Sequence, residues 1–134
     1  MSAPMTNSPP SRSETQARVL IVDDEPTIRM VARLMLERTG YAVGEAGDAA
    51  GALALVRATD RPFAALLLDV TLPDRSGIDV IPDLRASASW SRIILTSGKP
   101  EEAVPAHGAD GYLPKPFTKD QLIAAVRAAT AVMT

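Results

Sequence analysis

The chain of 134 residues has no cysteine and a single histidine. A disulfide framework, a thiolate zinc site and a cysteine nucleophile are therefore excluded, and the composition is consistent with a reducing compartment. Charge of one sign is also lacking: 14 basic residues face 16 acidic ones, for a formal net charge of −2. No surplus exists with which to hold a phosphate backbone, so nucleic acid is not an expected partner. No apolar run approaches the roughly 20 residues of a membrane helix, and the N-terminus has neither a basic start nor an apolar run of signal-peptide length. A soluble, cytoplasmic protein without a membrane partner is expected. What remains, 46% apolar and 22% charged residues, is the size and balance of one globular domain.

Residues 1–16, MSAPMTNSPPSRSETQ, hold three of the 11 prolines and almost nothing that can be buried. They are expected to form a disordered leader ahead of a single domain over 17–134. From Arg18 onward, compact apolar runs ended by Asp, Gly or Pro alternate with segments whose apolar residues recur every three to four positions. Strands are predicted at VLIV (19–22), 41–45, FAALLL (63–68), RIILT (92–96) and 111–113. The uninterrupted apolar runs fit parallel strands covered on both faces. The first helix follows Pro26, presents Ile28, Val31, Leu34 and Met35, and stops at Gly40. The second starts from an Asp48 cap and carries Leu53 and Val56; the third begins near Gly77 with Ile78, Ile81 and Leu84, and Pro82 should bend or loosen it. Only Lys99 to Ala109 are available for a fourth helix, and Pro105 falls inside, so it should be short or irregular. The last helix starts at Thr118 with Gln121 three residues on, a capping-box spacing, and buries Leu122, Ile123, Val126 and Ala129. Five short strands with crossover helices imply an α/β fold, a doubly wound five-stranded parallel sheet in an open three-layer sandwich.

In such a sheet ligands bind beyond the carboxyl ends of the strands. Those ends are acidic here: the first strand runs into Asp23, Asp24 and Glu25, and the third into Asp69. Taken singly, an Asp after a strand is commonly only a cap or turn residue. If the two strands are neighbours, however, three carboxylates converge, and two unit charges about 4 Å apart repel by roughly 4 kcal/mol at an effective dielectric near 20. A hard divalent cation answers that need, and a set of oxygen ligands suits Mg²⁺, which characteristically sits between carboxylates and a phosphate. The fourth strand ends in Thr96 and Ser97, and the fifth is followed by Lys115 between Pro114 and Pro116. A hydroxyl, an ammonium and a metal around one carboxylate are the parts that stabilise a phosphoryl group carried on it. Lys115–Pro116 is a candidate cis peptide. His107, without partner ligands nearby in sequence, reads as a surface residue, Trp90 as a packing residue at the opposite end of the sheet, and Glu101 and Glu102 as a helical first turn.

With these positions in place, the chain from about Arg18 to its end resembles the receiver domain of bacterial two-component response regulators, of the single-domain CheY-like kind. RVLIVDDEP (18–26), LLLDVTLPDRSG (66–77), IILTSG (93–98) and GADGYLPKPF (108–117) carry the resemblance. It implies a flavodoxin-like (βα)5 fold with strand order 2-1-3-4-5. It also implies that Asp69 accepts a phosphoryl group from a sensor histidine kinase, a histidine phosphotransfer protein or a small acyl phosphate. Asp23 and Asp24 would hold Mg²⁺ together with Asp69 and the backbone carbonyl of Thr71. Lys115 would pair with the aspartyl phosphate, the Thr96 hydroxyl would move onto it, and Tyr112 would swing with that movement as a switch read by a downstream protein target. A phosphorylation-dependent dimer is a further state the resemblance allows.

The segment from Thr96 to Gly108 is shorter than usual in that family, Leu72 replaces its usual methionine, and Ser76-Gly77 replaces an Asp-Gly. Thr71 and Gly98 occupy the positions two residues beyond Asp69 and Thr96 that tune dephosphorylation in the family, and neither offers a carboxylate or amide. Self-dephosphorylation is therefore expected to be set by water and Mg²⁺ alone. Only 18 residues follow Pro116, so a stand-alone receiver is expected, a module that catalyses only its own phosphorylation and dephosphorylation. The alternative is a receiver fragment of a hybrid kinase or multidomain regulator. An aspartate-nucleophile phosphatase would place a second Asp where Thr71 stands. A flavin module would need more aromatics than the one Trp, two Tyr and two Phe present, and a pseudo-receiver would not need all of Asp23, Asp24, Asp69, Thr96 and Lys115.

Overall fold

The computed structural model describes residues 16–105 and 107–131. The leader expected over residues 1–16 falls outside them except for its last residue. Five parallel strands, β1 (Arg18–Val22), β2 (Ala42–Ala46), β3 (Ala65–Asp69), β4 (Arg92–Ser97) and β5 (Gly111–Pro114), form one sheet in the order β2-β1-β3-β4-β5. Helices α1 (Pro26–Arg38), α2 (Ala49–Ala58), α3 (Gly77–Ser87) and α4 (Lys119–Ala131) make the crossovers and the C-terminal cover. The expected flavodoxin-like α/β topology is the observed one.

The two-residue side-chain period of a strand divides the apolar runs between two cores. Leu20, Val22, Leu66, Leu68, Ile93 and Leu95 pack on one face with Ala52 and Val56 of α2 and Val80 and Leu84 of α3. Val19, Ile21, Ala65, Leu67, Ile94 and Leu113 pack on the other with Ala32 and Leu36 of α1 and Leu122 and Val126 of α4. Burying one Leu or Ile side chain contributes about 1.5–3 kcal/mol, which is why the three central strands tolerate so little polarity before their last residues. In register, Val22 lies beside Leu68 and Leu68 beside Leu95, so the next residues, Asp23, Asp69 and Thr96, emerge together at the carboxyl edge.

Local signals read from the sequence act as anticipated at most helix ends. Asp48 accepts a hydrogen bond from the Gly51 N–H at 2.7 Å. Thr118 and Gln121 form a reciprocal capping box, with backbone N–H to side-chain oxygen distances of 2.9 and 3.1 Å. Gly40 ends α1 with φ +105°, in the left-handed region that glycine enters without a Cβ penalty. α3 runs through Pro82 as one helix. The fourth helix is reduced to a single 3-10 turn, Glu101–Ala103.

One expectation is corrected. The inward stripe of α1 is set by Ala32 and Leu36, whereas Val31 and Leu34 are each 40% exposed. Ala32, Met35 and Leu36, with Ile28 a turn before, share one side at i, i+3, i+4 spacing; Leu34, two residues from Ala32, points about 200° away from it. Weighing only large side chains misplaces the stripe because one of its two fully buried residues is an alanine. Trp90, 45% exposed, lines a small cleft with Pro62 and Phe63.

Candidate functional site

Three elements bring their first residues after an apolar run to one place. Asp23 follows β1, Asp69 ends β3, and Lys115 directly follows β5 and precedes Pro116 through a cis bond. Carboxylate oxygens of Asp23, Asp24 and Asp69 lie within 4.8 Å of one another, with Asp23 and Asp69 buried and Asp24 exposed. The Lys115 Nζ donates to Asp23 Oδ2 at 2.6 Å and to Asp69 Oδ2 at 3.1 Å. One ammonium thus faces three carboxylates. At 4.8 Å and an effective dielectric near 20, each carboxylate pair repels by about 3 kcal/mol, which a single lysine offsets only in part. An excess of hard oxygen donors around a partly exposed opening is the chemistry of a divalent cation site, and the donor set fits Mg²⁺.

Backbone groups orient both buried carboxylates. Asp23 Oδ1 accepts from the Glu25 N–H at 2.9 Å, and Asp69 Oδ1 accepts from the Thr71 N–H at 3.0 Å. Burial pushes the Asp69 carboxyl above its ordinary range, against the Thr71 N–H and Lys115, which pull it down. Burial would lower the Lys115 ammonium, but its hydrogen bonds to Asp23 and Asp69 and their charges raise it instead. Behind the pocket, Arg29 of α1 donates to the Asp23 carbonyl at 2.5 Å and to Glu45 Oε1 at 3.2 Å, fixing the β1–α1 turn.

Thr96 is buried and pairs in register with Asp69. The Val70 N–H donates to the Thr96 carbonyl at 2.9 Å, so the segment leaving Asp69 remains tied to β4. Tyr112, in register with Leu95, is half-buried against the α2–α3 core, and its hydroxyl donates to the Lys99 carbonyl at 2.5 Å. His107 is corrected here from a surface residue to a packed one. Its ring stacks on Tyr112 with centroids 6.1 Å apart, its Nδ1 accepts from the Ala109 N–H at 3.0 Å, and its Nε2 lies 3.1 Å from Glu101. With the fourth helix shortened to one turn, this imidazole covers the tyrosine ring.

The loop from Asp69 to α3 closes tightly. Gly77 N–H donates to the Val70 carbonyl at 2.7 Å, and Thr71 bridges to Ser76, which caps α3 at the Ile78 N–H. A Cβ on Gly77 would meet the Asp69 carbonyl oxygen at 2.1 Å, so only glycine fits there. Asp74, at the tip, was not singled out from the sequence. Its two oxygens accept from the Ala49 and Ala50 N–H groups of α2, each at 2.9 Å, which holds its carboxyl below the usual range. No local signal marks it, because its partners lie about 25 residues upstream.

The family model of the response regulator receiver domain matches residues 19–127. The transcriptional regulatory protein KdpE of Mycobacterium tuberculosis is 42% identical over 115 residues, covering 83% of this chain and 50% of that protein. The chain therefore spans about half the length of that relative. Among solved structures, the response regulator TrrA of Thermotoga maritima in complex with Mg²⁺ and BeF superimposes with a TM-score of 0.76 at 28% identity, over 85% of this chain and 99% of that one. A response regulator from Burkholderia pseudomallei with a phosphorylated aspartic acid, a calcium ion and citrate gives 0.75 at 30% identity, over 88% and 71%. Sheet order, acidic pocket and sequence agree that this chain belongs to the response regulator receiver domains, phospho-aspartate signalling modules rather than enzymes acting on an external substrate.

Proposed function

We propose that Asp69 is the phosphoacceptor of a cytoplasmic Mg²⁺-dependent receiver, charged by a histidine kinase or histidine phosphotransfer protein and read through phosphorylation-dependent protein contacts. The observation that carries this reading is the Lys115 ammonium held between Asp23 and Asp69, beside the Asp69–Thr96 register pair. A carboxylate oxygen of Asp69 attacks the phosphorus. The P–N bond of a phosphohistidine, or the P–O bond of an acyl phosphate, breaks and its electron pair leaves with the imidazole or carboxylate, giving an acyl phosphate on Asp69. Asp23, Asp24, Asp69 and the Thr71 carbonyl would hold Mg²⁺, which when bound neutralises phosphoryl oxygens. Lys115, already 3.1 Å from the acceptor carboxylate, supplies a fixed positive charge for the new phosphoryl oxygens, and the Thr96 hydroxyl on the adjacent strand supplies a hydrogen bond. Movement of Thr96 toward the phosphoryl group would be followed by Tyr112 through the Lys99 contact, changing the surface offered by β5 and the 3-10 turn. Water returns the carboxylate and releases phosphate. No helix among the described residues is long and apolar enough to cross a membrane.

The test is intact mass after incubation with Mg²⁺ and acetyl phosphate, on wild type and Asp69→Asn together. One phosphoryl adduct on wild type alone is expected. An adduct on both proteins would move the acceptor elsewhere, and none on either, with a phosphorylated kinase also failing as donor, would overturn the reading.

A further inference from the structure

The first turn of α2 leaves four N–H groups without helical partners, as every helix does. Three of them have side-chain partners: Ala49 and Ala50 donate to the two oxygens of Asp74 and Gly51 to the Asp48 side chain, while the Ala52 N–H to the Asp48 carbonyl is the first bond of the helical ladder. Two of these N–H groups are thus satisfied by the loop that leaves Asp69, and the bond is two-pronged, so it resists rotation as well as displacement. The base of that loop is held by the Gly77 to Val70 hydrogen bond and the Thr71–Ser76 bridge. Leu72 within it is buried in the α2–α3 core. Thr71, three residues before Asp74, gives its N–H to Asp69 Oδ1. The orientation of the acceptor carboxylate and the placement of the Thr71 carbonyl therefore depend on where α2 holds the loop tip.

We propose that Asp74 is a positioning residue for the phosphoryl and metal site, fixing the Thr71 peptide by clamping the β3–α3 loop to the N-terminus of α2. It touches neither metal nor phosphoryl group and acts through the backbone. The inference rests on Asp69 and the Thr71 carbonyl serving as acceptor and ligand as set out above. Groups that orient ligands from behind typically change metal affinity by 10–100-fold when removed, and a backbone clamp of this kind belongs at the lower end.

The decisive comparison sets Asp74→Ala against Asp48→Ala in the full chain. Both remove acceptors from the same helix end, but Asp48 lies outside the β3–α3 loop, so a merely structural role would make the two variants alike. Mg²⁺ affinity, from amide shifts of Asp69 and Thr71 in a titration with Mg²⁺ alone, and the rate of phosphoryl uptake from acetyl phosphate are the readouts, at a temperature where both variants are folded. Asp74→Ala should weaken Mg²⁺ binding by about tenfold and slow uptake. Asp74→Asn, which keeps one acceptor oxygen, should recover part of both, and Asp48→Ala should match wild type while melting earlier. Asp74→Ala with wild-type affinity and rate, or Asp48→Ala falling by the same factor, would overturn the proposal. If wild type takes up no more phosphate than Asp69→Asn, the acceptor reading itself fails and this inference fails with it.

Discussion

Gly77→Ala sets helix propensity against packing. Alanine is favoured over glycine by up to about 1 kcal/mol inside a helix, and Gly77 is the first helical residue after the Ser76 cap, so propensity alone favours the substitution. The surroundings oppose it: the new Cβ would lie 2.1 Å from the Asp69 carbonyl oxygen and 3.1 Å from the Val70 Cα, both backbone atoms. Reaching ordinary contact requires the β3 end or the start of α3 to move by about 1 Å, and forcing atoms into a packed site costs about 1–3 kcal/mol. With the obstacle a backbone rather than a flexible side chain, the upper end applies, and a net loss of about 2 kcal/mol is expected. For a domain of this size that lowers Tm by about 8 °C. Gly98→Ala is the reference, since nothing lies within 4 Å of its added Cβ and its stability should stay within about 0.5 kcal/mol of wild type. Urea and thermal unfolding followed by circular dichroism measure both variants. Gly77→Ala at or above wild-type stability would refute the reasoning, because the close approach would then not constrain the loop.

Lys115→Met should lose about 3 kcal/mol of stability in Mg²⁺-free buffer, because two buried carboxylates keep their charge without their shared ammonium; an unchanged urea midpoint would count against it. Asp110 ties the approach to β5 onto β4. Burial would raise its carboxyl, but the Ile93 N–H and Arg85 hold it below the ordinary value. For a depressed carboxyl the stabilisation is present above the unfolded value, near 3.8, and is lost as pH falls through the lower folded value. Asp110→Asn should therefore melt below wild type at neutral pH, with the gap closing toward pH 3; a gap independent of pH would exclude the ionised form as its source. Thr71→Ala should leave the decay of the phosphorylated form, followed by intact mass, unchanged, since Thr71 presents no carboxylate or amide to a water; a large fall in that rate would assign its hydroxyl a part.

The buried strands and four of the five site residues that share the pocket follow from patterns only a few residues long, whereas the strand order came from the family resemblance. An apolar run buried on both faces must stop where the sheet stops, so the polar residues that end β1, β3 and β4 mark the carboxyl edge, and Asp23, Asp24, Asp69 and Thr96 could be placed there from the order of residues alone. Lys115 could be placed after β5, but its bond to Asp23, 92 positions away, exists only because the sheet brings the ends of β1, β3 and β5 to one edge. The face of α1 was legible in period but not in phase, because one of its two fully buried residues is Ala32, whose small side chain carries little signal. His107 and Asp74 were illegible for a stronger reason: one gains its role by stacking on Tyr112 where a helix is missing, the other by meeting backbone N–H groups of α2 across the fold. The sequence by itself determined which residues are apolar, the order and approximate place of the elements, and that carboxylates stand at strand ends, since those follow from periodicity and capping within a few residues. Only the tertiary structure decided which ammonium neutralises which carboxylate and what holds the acceptor loop, because those contacts join residues far apart in the chain through backbone groups that every residue carries alike.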